Sequence, residues 1–321
     1  MAVQEQAHPL RQERNRGAGQ VAPRADFQRS RQYGPMIEDI LAHLALIFIL
    51  LVVLFPVLWV ISLALDPRNI ARPTSLRLIP PGASLDAFRR ILTEPLPNNV
   101  GFWTMFRNSM VVSLGTSVVV TAFAVTAAYA FARFRFPGRK WGLFAFIAVQ
   151  MLPGVATLAP LFVLLNSITV PGADDRLRAT LLGLSIAYVS TALPFAIWNL
   201  KGYIDTLPTD LEQAAMVDGA GPNRAFIDVI LPLILPALAV TMLLGFMAGW
   251  TEFILAWTFI SDASRITLAM GLYSLQGEYS SQVPWSEFAA MSILITLPVV
   301  VVFFLLQRWF VSGLAIGAVK G

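Results

Sequence analysis

Six stretches of this chain are apolar over a length that matches a lipid bilayer: residues 40–65, 108–131, 141–168, 180–200, 230–260 and 288–311. Crossing about 30 Å of hydrocarbon takes about 20 apolar residues at about 1.5 Å of rise each. The segment must be helical, because no water inside the bilayer can satisfy a free backbone N–H or C=O. Several of the six exceed the minimum length, so tilted or broken spans are expected, and Pro56, Pro153, Pro160, Pro194 and Pro298 mark kink positions. Composition agrees: 56% of residues are hydrophobic, 13% are charged and mean hydropathy is +0.67. An ordinary soluble domain carries about a quarter charged residues. The fold class is therefore an all-α integral membrane protein with six transmembrane helices.

Several chemistries are excluded. With no cysteine there is no disulfide framework and no thiolate metal site or nucleophile. The two histidines, His8 and His43, are too few and too far apart for a zinc site or a triad. Lys140, Lys201 and Lys320 are the only lysines, and none follows a glycine, so no Gly-Lys-Ser/Thr phosphate loop exists. No catalytic residue, metal site or cofactor is expected in this chain.

Orientation follows from basic residues in short loops. Residues 1–39 form a polar arm with six arginines and no apolar centre of a cleavable signal, so the first span is expected to stay in the mature protein. The connection between spans two and three holds Arg133, Arg135, Arg139 and Lys140 without an acid. These features put both termini in the cytoplasm, with the arm near anionic lipid. Residues 66–107 dissent with six arginines, but that segment is long and Pro-rich and reads as a folded external loop.

Residues 201–229 then form a cytoplasmic segment between spans four and five. Thr209 and Glu212 have the spacing of a capping box, in which the hydroxyl takes the third amide and the carboxylate returns to the cap. A short helix is predicted from 210 to 218, ended by positive φ at Gly219, with Pro222 opening a second helix. Leu211, Ala214, Ala215 and Asp218 share one face, narrowed by its alanines. The pattern alone suits either a surface-lying amphipathic helix or a knuckle that approaches another protein's backbone.

Gln213-Ala-Ala-x-x-x-Gly219, nine residues, then Val229-Ile-Leu-Pro232 resembles the signature loop of ABC importer permeases. That loop usually starts with glutamate; here Gln213 stands in its place and Glu212 precedes it. The resemblance implies a MetI-like type I importer core over residues 40–321. It also implies a coupling helix, with Glu212, Gln213, Ala214, Ala215, Asp218 and Gly219 seated on a cytoplasmic ATPase. Residues 128–138 (Ala-Tyr-Ala-Phe-Ala-Arg-Phe-Arg-Phe-Pro-Gly), Gln150-Met-Leu-Pro153, residues 285–290 (Trp-Ser-Glu-Phe-Ala-Ala) and the tail 307–321 are similar to the G-type permeases of maltose/maltodextrin importers.

What that branch implies is a carbohydrate importer in the bacterial inner membrane. Its parts are a second homologous permease, two ATP-binding subunits that hold ATP and Mg, and an extracytoplasmic sugar-binding protein. No nucleic acid is involved. The tail 312–321 resembles one that enters between the ATPase subunits, through Gly317, Ala318, Val319, Lys320 and Gly321. The loop near 274–285, with Gly277, Glu278, Tyr279 and Trp285, resembles one that reaches into the binding protein. Both segments also read as an ordinary terminus and an ordinary solvated loop.

Glu252 is the only carboxylate well inside a span. A charge at mid-bilayer costs roughly 3 kcal/mol, so it must face protein or a water-filled path. It is a candidate for the translocation path, and equally for a structural acid tying two helices together. Gly245-x-x-x-Gly249 permits close helix packing. The nearest alternative function is the same architecture importing glycerol phosphate or another saccharide. A secondary transporter or channel is the alternative from another class, but such carriers carry intramembrane ion sites and paired repeats. A membrane scaffold is the third.

Overall fold

A computed structural model of the protein describes residues 34–70, 77–171, 175–276 and 283–318. Among these the chain is helical and contains no β-strand. It divides into two units, residues 1–57 and 58–321. Helix α1 (Gly34–Ala64) contains Pro56 without interruption and, over residues 38–57, exposes every side chain.

In the second unit, the segment between α1 and the second span carries a short amphipathic helix, α2 (Asp86–Thr93), which buries Ala87 and Ile91. The second span is α3 (Phe102–Arg133), starting six residues before the apolar run. The third expected span is two helices, α4 (Arg139–Gln150) and α5 (Leu158–Ser167), the latter preceded by a 3₁₀ turn. They meet at a bend of 107° beside Pro153, so residues 141–168 form a broken span or a re-entrant pair. The fourth is α6 (Leu181–Asp205), whose Thr180 hydroxyl caps the Gly183 N–H at 3.0 Å.

The segment after α6 forms α7 (Asp210–Val217) and α8 (Pro222–Arg224), and a π-helical turn over Ala225–Ile230 leads into α9 (Leu231–Leu233). The chain then bends by 77° into α10 (Leu235–Trp250). Pro232 and Pro236 flank that bend. Each lacks an N–H and displaces the carbonyl four residues earlier, so the regular ladder cannot pass through. The expected span 230–260 therefore starts at a bend and stops at Trp250, followed by α11 (Ile254–Phe259). A loop and α12 (Leu268–Ser274) lead to the last span, α13 (Trp285–Ala318). Among the described residues, four helices are long and apolar enough to cross a bilayer, or up to six if each bent pair counts as one span.

Helix α3 is the axis of the second unit and packs against α6 and α10. Its approach to α10 is set by glycine: a β-carbon added at Gly249 would lie 2.8 Å from Ser113 Cα, and one at Gly245 would lie 3.0 Å from Ser117 Cα. The Ser117 hydroxyl donates to the Met242 carbonyl at 2.6 Å, adding a polar tie where side chains are small. Towards the N-terminal end of α3, Asn108 donates to the Ser264 and Ile266 carbonyls, and at the C-terminal end of α10 Trp250 donates to the Ile295 carbonyl. The end near α7 is apolar, with Val120, Ala124, Ala128, Ile197, Leu200, Ile204, Ile230 and Ile234 buried together.

Candidate functional site

Helix α7 is short because its boundaries are chemical. It starts after Pro208 and Thr209, and ends where Gly219 adopts φ +90°, a conformation that side-chain-bearing residues rarely take. Pro222 occupies the first position of α8, as its missing donor allows. The capping box, however, does not form: Thr209 makes no side-chain cap hydrogen bond. The Glu212 carboxylate turns inward instead. Arg133 Nε donates to its Oε1 at 2.5 Å, and the Tyr129 hydroxyl donates to its Oε2 at 3.2 Å. An ionised partner in a buried setting outcompetes one backbone N–H for a carboxylate.

Arg133 also donates through Nη2 to the Leu207 carbonyl at 3.0 Å. The guanidinium at the end of α3 therefore grips the turn before α7 and α7 itself. Tyr129 and Arg133 are one helical turn apart, which places both on the same face of α3. Neither was singled out by the sequence as functional beyond lying in the family-like stretch 128–138. Their i, i+4 spacing beside an unpaired carboxylate two spans later was the available signal.

With Glu212 committed inward, the other face of α7 is open. Gln213, Ala214 and Asp218 are exposed, Ala215 is half-buried at the edge, and Leu211, Met216 and Val217 are 40%, 43% and 88% exposed. Gly219 is exposed too, with free space where a β-carbon would stand. A two-turn helix that presents apolar and small residues on one side, and is locked by a buried ion pair on the other, can receive force from a partner and pass it to α3.

Glu252 lies in the break between α10 and α11. Its carboxylate accepts the Leu255 N–H at 3.0 and 3.1 Å, the Ala256 N–H at 3.3 Å and the Tyr188 hydroxyl at 2.8 Å. An acid at a helix N-terminus meets orphan donors and the positive end of the helix dipole, so the charge is met by protein groups. It joins α6, α10 and α11.

Trp285 is half-buried at the start of α13 with its ring against Phe288, and Glu287 of the same turn pairs with Arg90 of α2 at 2.9 Å. Gly277, Glu278 and Tyr279 lie outside the described residues, as do Val319, Lys320 and Gly321. Gly317 and Ala318 are the last two residues of α13. The structure thus brings together Glu212, Arg133 and Tyr129 at one end of the bundle, and Glu252 with Tyr188 nearer the other.

Comparison with known proteins is consistent with this geometry. Residues 121–316 match the family described as binding-protein-dependent transport system inner membrane component. The maltodextrin transport system permease protein MdxG of Bacillus subtilis is 36% identical over 287 residues, 89% of this chain and 98% of its own length. The trehalose transport system permease protein SugB of Mycobacterium tuberculosis is 35% identical over 268 residues, 84% of this chain and 93% of that protein. The maltose/maltodextrin transport system permease protein MalG of Escherichia coli K12 is 34% identical over 295 residues, 88% and 95% of the two chains. Among solved structures, a chain of a bacterial ABC transporter involved in the import of the acidic polysaccharide alginate superposes with a TM-score of 0.67 at 22% identity, covering 88% of this chain and 99% of its own. That likeness carries the fold. From the family match and the near-full-length relatives, this chain belongs to the inner-membrane components of binding-protein-dependent transport systems, the permeases of ABC importers.

Proposed function

We propose that this chain is one of two permease subunits of an ATP-driven carbohydrate importer. The observation that carries the coupling role is α7, exposed on one side and tied by Glu212 to Arg133 of α3 on the other. Support for sugar as cargo comes from the relatives, whose names specify maltodextrin, trehalose and maltose transport. In this reading the chain has no ATP site of its own. Two ATPase subunits bind ATP and Mg below, a second permease completes the pathway, and a sugar-loaded binding protein docks outside. Both termini and α7 are cytoplasmic.

ATP-driven closure of the ATPases displaces α7. The displacement passes through Glu212 to Arg133 and α3, and through the Leu207 carbonyl to the end of α6. The long spans then tilt as rigid elements, and access switches from one side of the membrane to the other. ATP shifts the equilibrium only because α7 makes different contacts in the two states. The exposed face around Ala214, Val217 and Gly219 supplies that difference. The tail from Gly317 adds a contact between the ATPases, and residues near 277–285 contact the binding protein. Glu252 supports the pathway by holding the α10–α11 break in place.

Gentle detergent purification of the tagged chain from its own membrane tests this reading. A second permease and a nucleotide-binding subunit should accompany it in a one-to-one-to-two ratio. Isolation without any ATPase, together with no ATPase crosslink in intact membranes, would refute it.

A further inference from the structure

The turn between α3 and α4 carries three cations, Arg135, Arg139 and Lys140, and no acid. With Phe136, Gly138 and Trp141 they line an open pocket of about 340 Å³. Among the described residues none of the three forms an ion pair, whereas Arg133, just before them, is consumed by Glu212. Gly138 at φ +86° makes the turn that starts α4 directly with Arg139 and Lys140. The positive end of the α4 dipole adds to the same field. Three like charges around one concavity repel each other, and an oxyanion placed among them relieves that repulsion through charge-assisted hydrogen bonds.

Two further features separate a lipid from a free anion. Trp141 is 77% and Phe144 is 63% exposed, with their rings edge-to-face at 6.2 Å, and no side chain of α4 is fully buried. An exposed Trp beside cations at the end of an apolar helix is the pattern of the headgroup level. The pocket is also at the α7 end of the bundle, because Arg133, immediately before the turn, bonds Glu212 and the Leu207 carbonyl.

We infer that this pocket binds the phosphate of an anionic phospholipid. Arg135, Arg139 and Lys140 hold the phosphate, and Trp141 and Phe144 lie alongside the glycerol and upper acyl region. The site needs only that the chain sits in a membrane, and is independent of what the permease carries or which ATPase drives it.

The test uses the full chain in its detergent-purified state, with phosphatidylglycerol as the probe and retention read by native mass spectrometry. Arg135→Gln/Arg139→Gln/Lys140→Gln should weaken retention at least about tenfold, from the contribution each basic residue makes near an anionic surface. Arg77→Gln/Arg89→Gln/Arg107→Gln, with the same change in net charge on the external segment, should retain lipid as the parent does. Equal retention by both variants overturns the site. Displacement of the lipid by millimolar inorganic phosphate at constant ionic strength also overturns it, since the ligand would then be free phosphate. Should the triple variant fail to insert, Arg135→Gln alone is read: a loss of about threefold supports the site and unchanged retention overturns it.

Discussion

Arg133 Nε and Glu212 Oε1 lie 2.5 Å apart, with side chains only 9% and 8% exposed, and so join α3 to α7 across 79 residues of chain. Both groups are largely out of water, and their partners are few and specific: the Tyr129 hydroxyl for the carboxylate and the Leu207 carbonyl for the guanidinium. A pair of this kind stabilises little in total, but removing one member strands a charge at a cost of about 3–5 kcal/mol.

The singles Arg133→Leu and Glu212→Leu should therefore each lower solute-stimulated ATP hydrolysis and uptake at least about tenfold. The double variant should be less damaged than the sum of the two. Proteoliposome assays of the reconstituted importer measure this. Additive losses in the double-mutant cycle would mean that the pair does not transmit the movement.

At Gly219 the constraint is backbone conformation. Space for a side chain exists, yet φ is +90°. Gly219→Val should cost about 1–3 kcal/mol locally and re-aim the α7–α8 turn. Insertion and permease pairing should persist while uptake and stimulated ATP hydrolysis fall together. Uptake equal to the parent would remove α7 geometry from the mechanism.

The contact between α10 and α3 gives a stability prediction. Gly249→Val would place its first carbon 2.8 Å from Ser113 Cα, a backbone atom that cannot swing away. Overpacking of this kind costs about 1–3 kcal/mol and sometimes more. A lower thermal transition of the detergent-solubilised protein is expected, with Gly101→Ala, where the added carbon meets nothing, as the neutral comparison.

Much of this was legible beforehand, and the failures have particular causes. Span positions follow from length and hydropathy, which depend on no tertiary contact. The 210–218 helix, its glycine stop and the proline start of α8 are set by local backbone chemistry, and all three occur. The capping box failed because Glu212 found a buried cation, and nothing local to Thr209-Asp-Leu-Glu212 reports Arg133. Likewise Gly245-x-x-x-Gly249 announces a close approach but not its partner, since Ser113 and Ser117 meet it only in three dimensions. The 77° bend lies between Pro232 and Pro236, just past the last residue of the signature, where apolar continuity suggested one span.

A pH effect follows from the C-terminal end of α1. Hydrogen bonds from the Arg68 side chain hold the Asp66 carboxyl below its ordinary range, against the opposing pull of burial. The Asp66 carbonyl meanwhile accepts the Ser286 hydroxyl at 2.5 Å, tying this loop to α13. With the folded-state value depressed, this carboxylate contributes stability above its unfolded value of about 4 and loses it as pH falls through the folded value. Asp66→Asn should flatten the decline in thermal stability between about pH 5 and pH 3. An unchanged slope would show that the pair does not contribute.

The central claim, that the open face of α7 meets the ATPase, is tested most directly by disulfide or bifunctional crosslinking in native membranes. The chain has no cysteine, so each introduced one is unique. Val217→Cys and Ala214→Cys should crosslink to the ATPase subunit, with a yield that changes when ATP is bound. Thr251→Cys, exposed beyond α10 at the opposite end, should not. Absence of any ATPase crosslink from α7, in membranes where uptake is intact, would contradict the assignment.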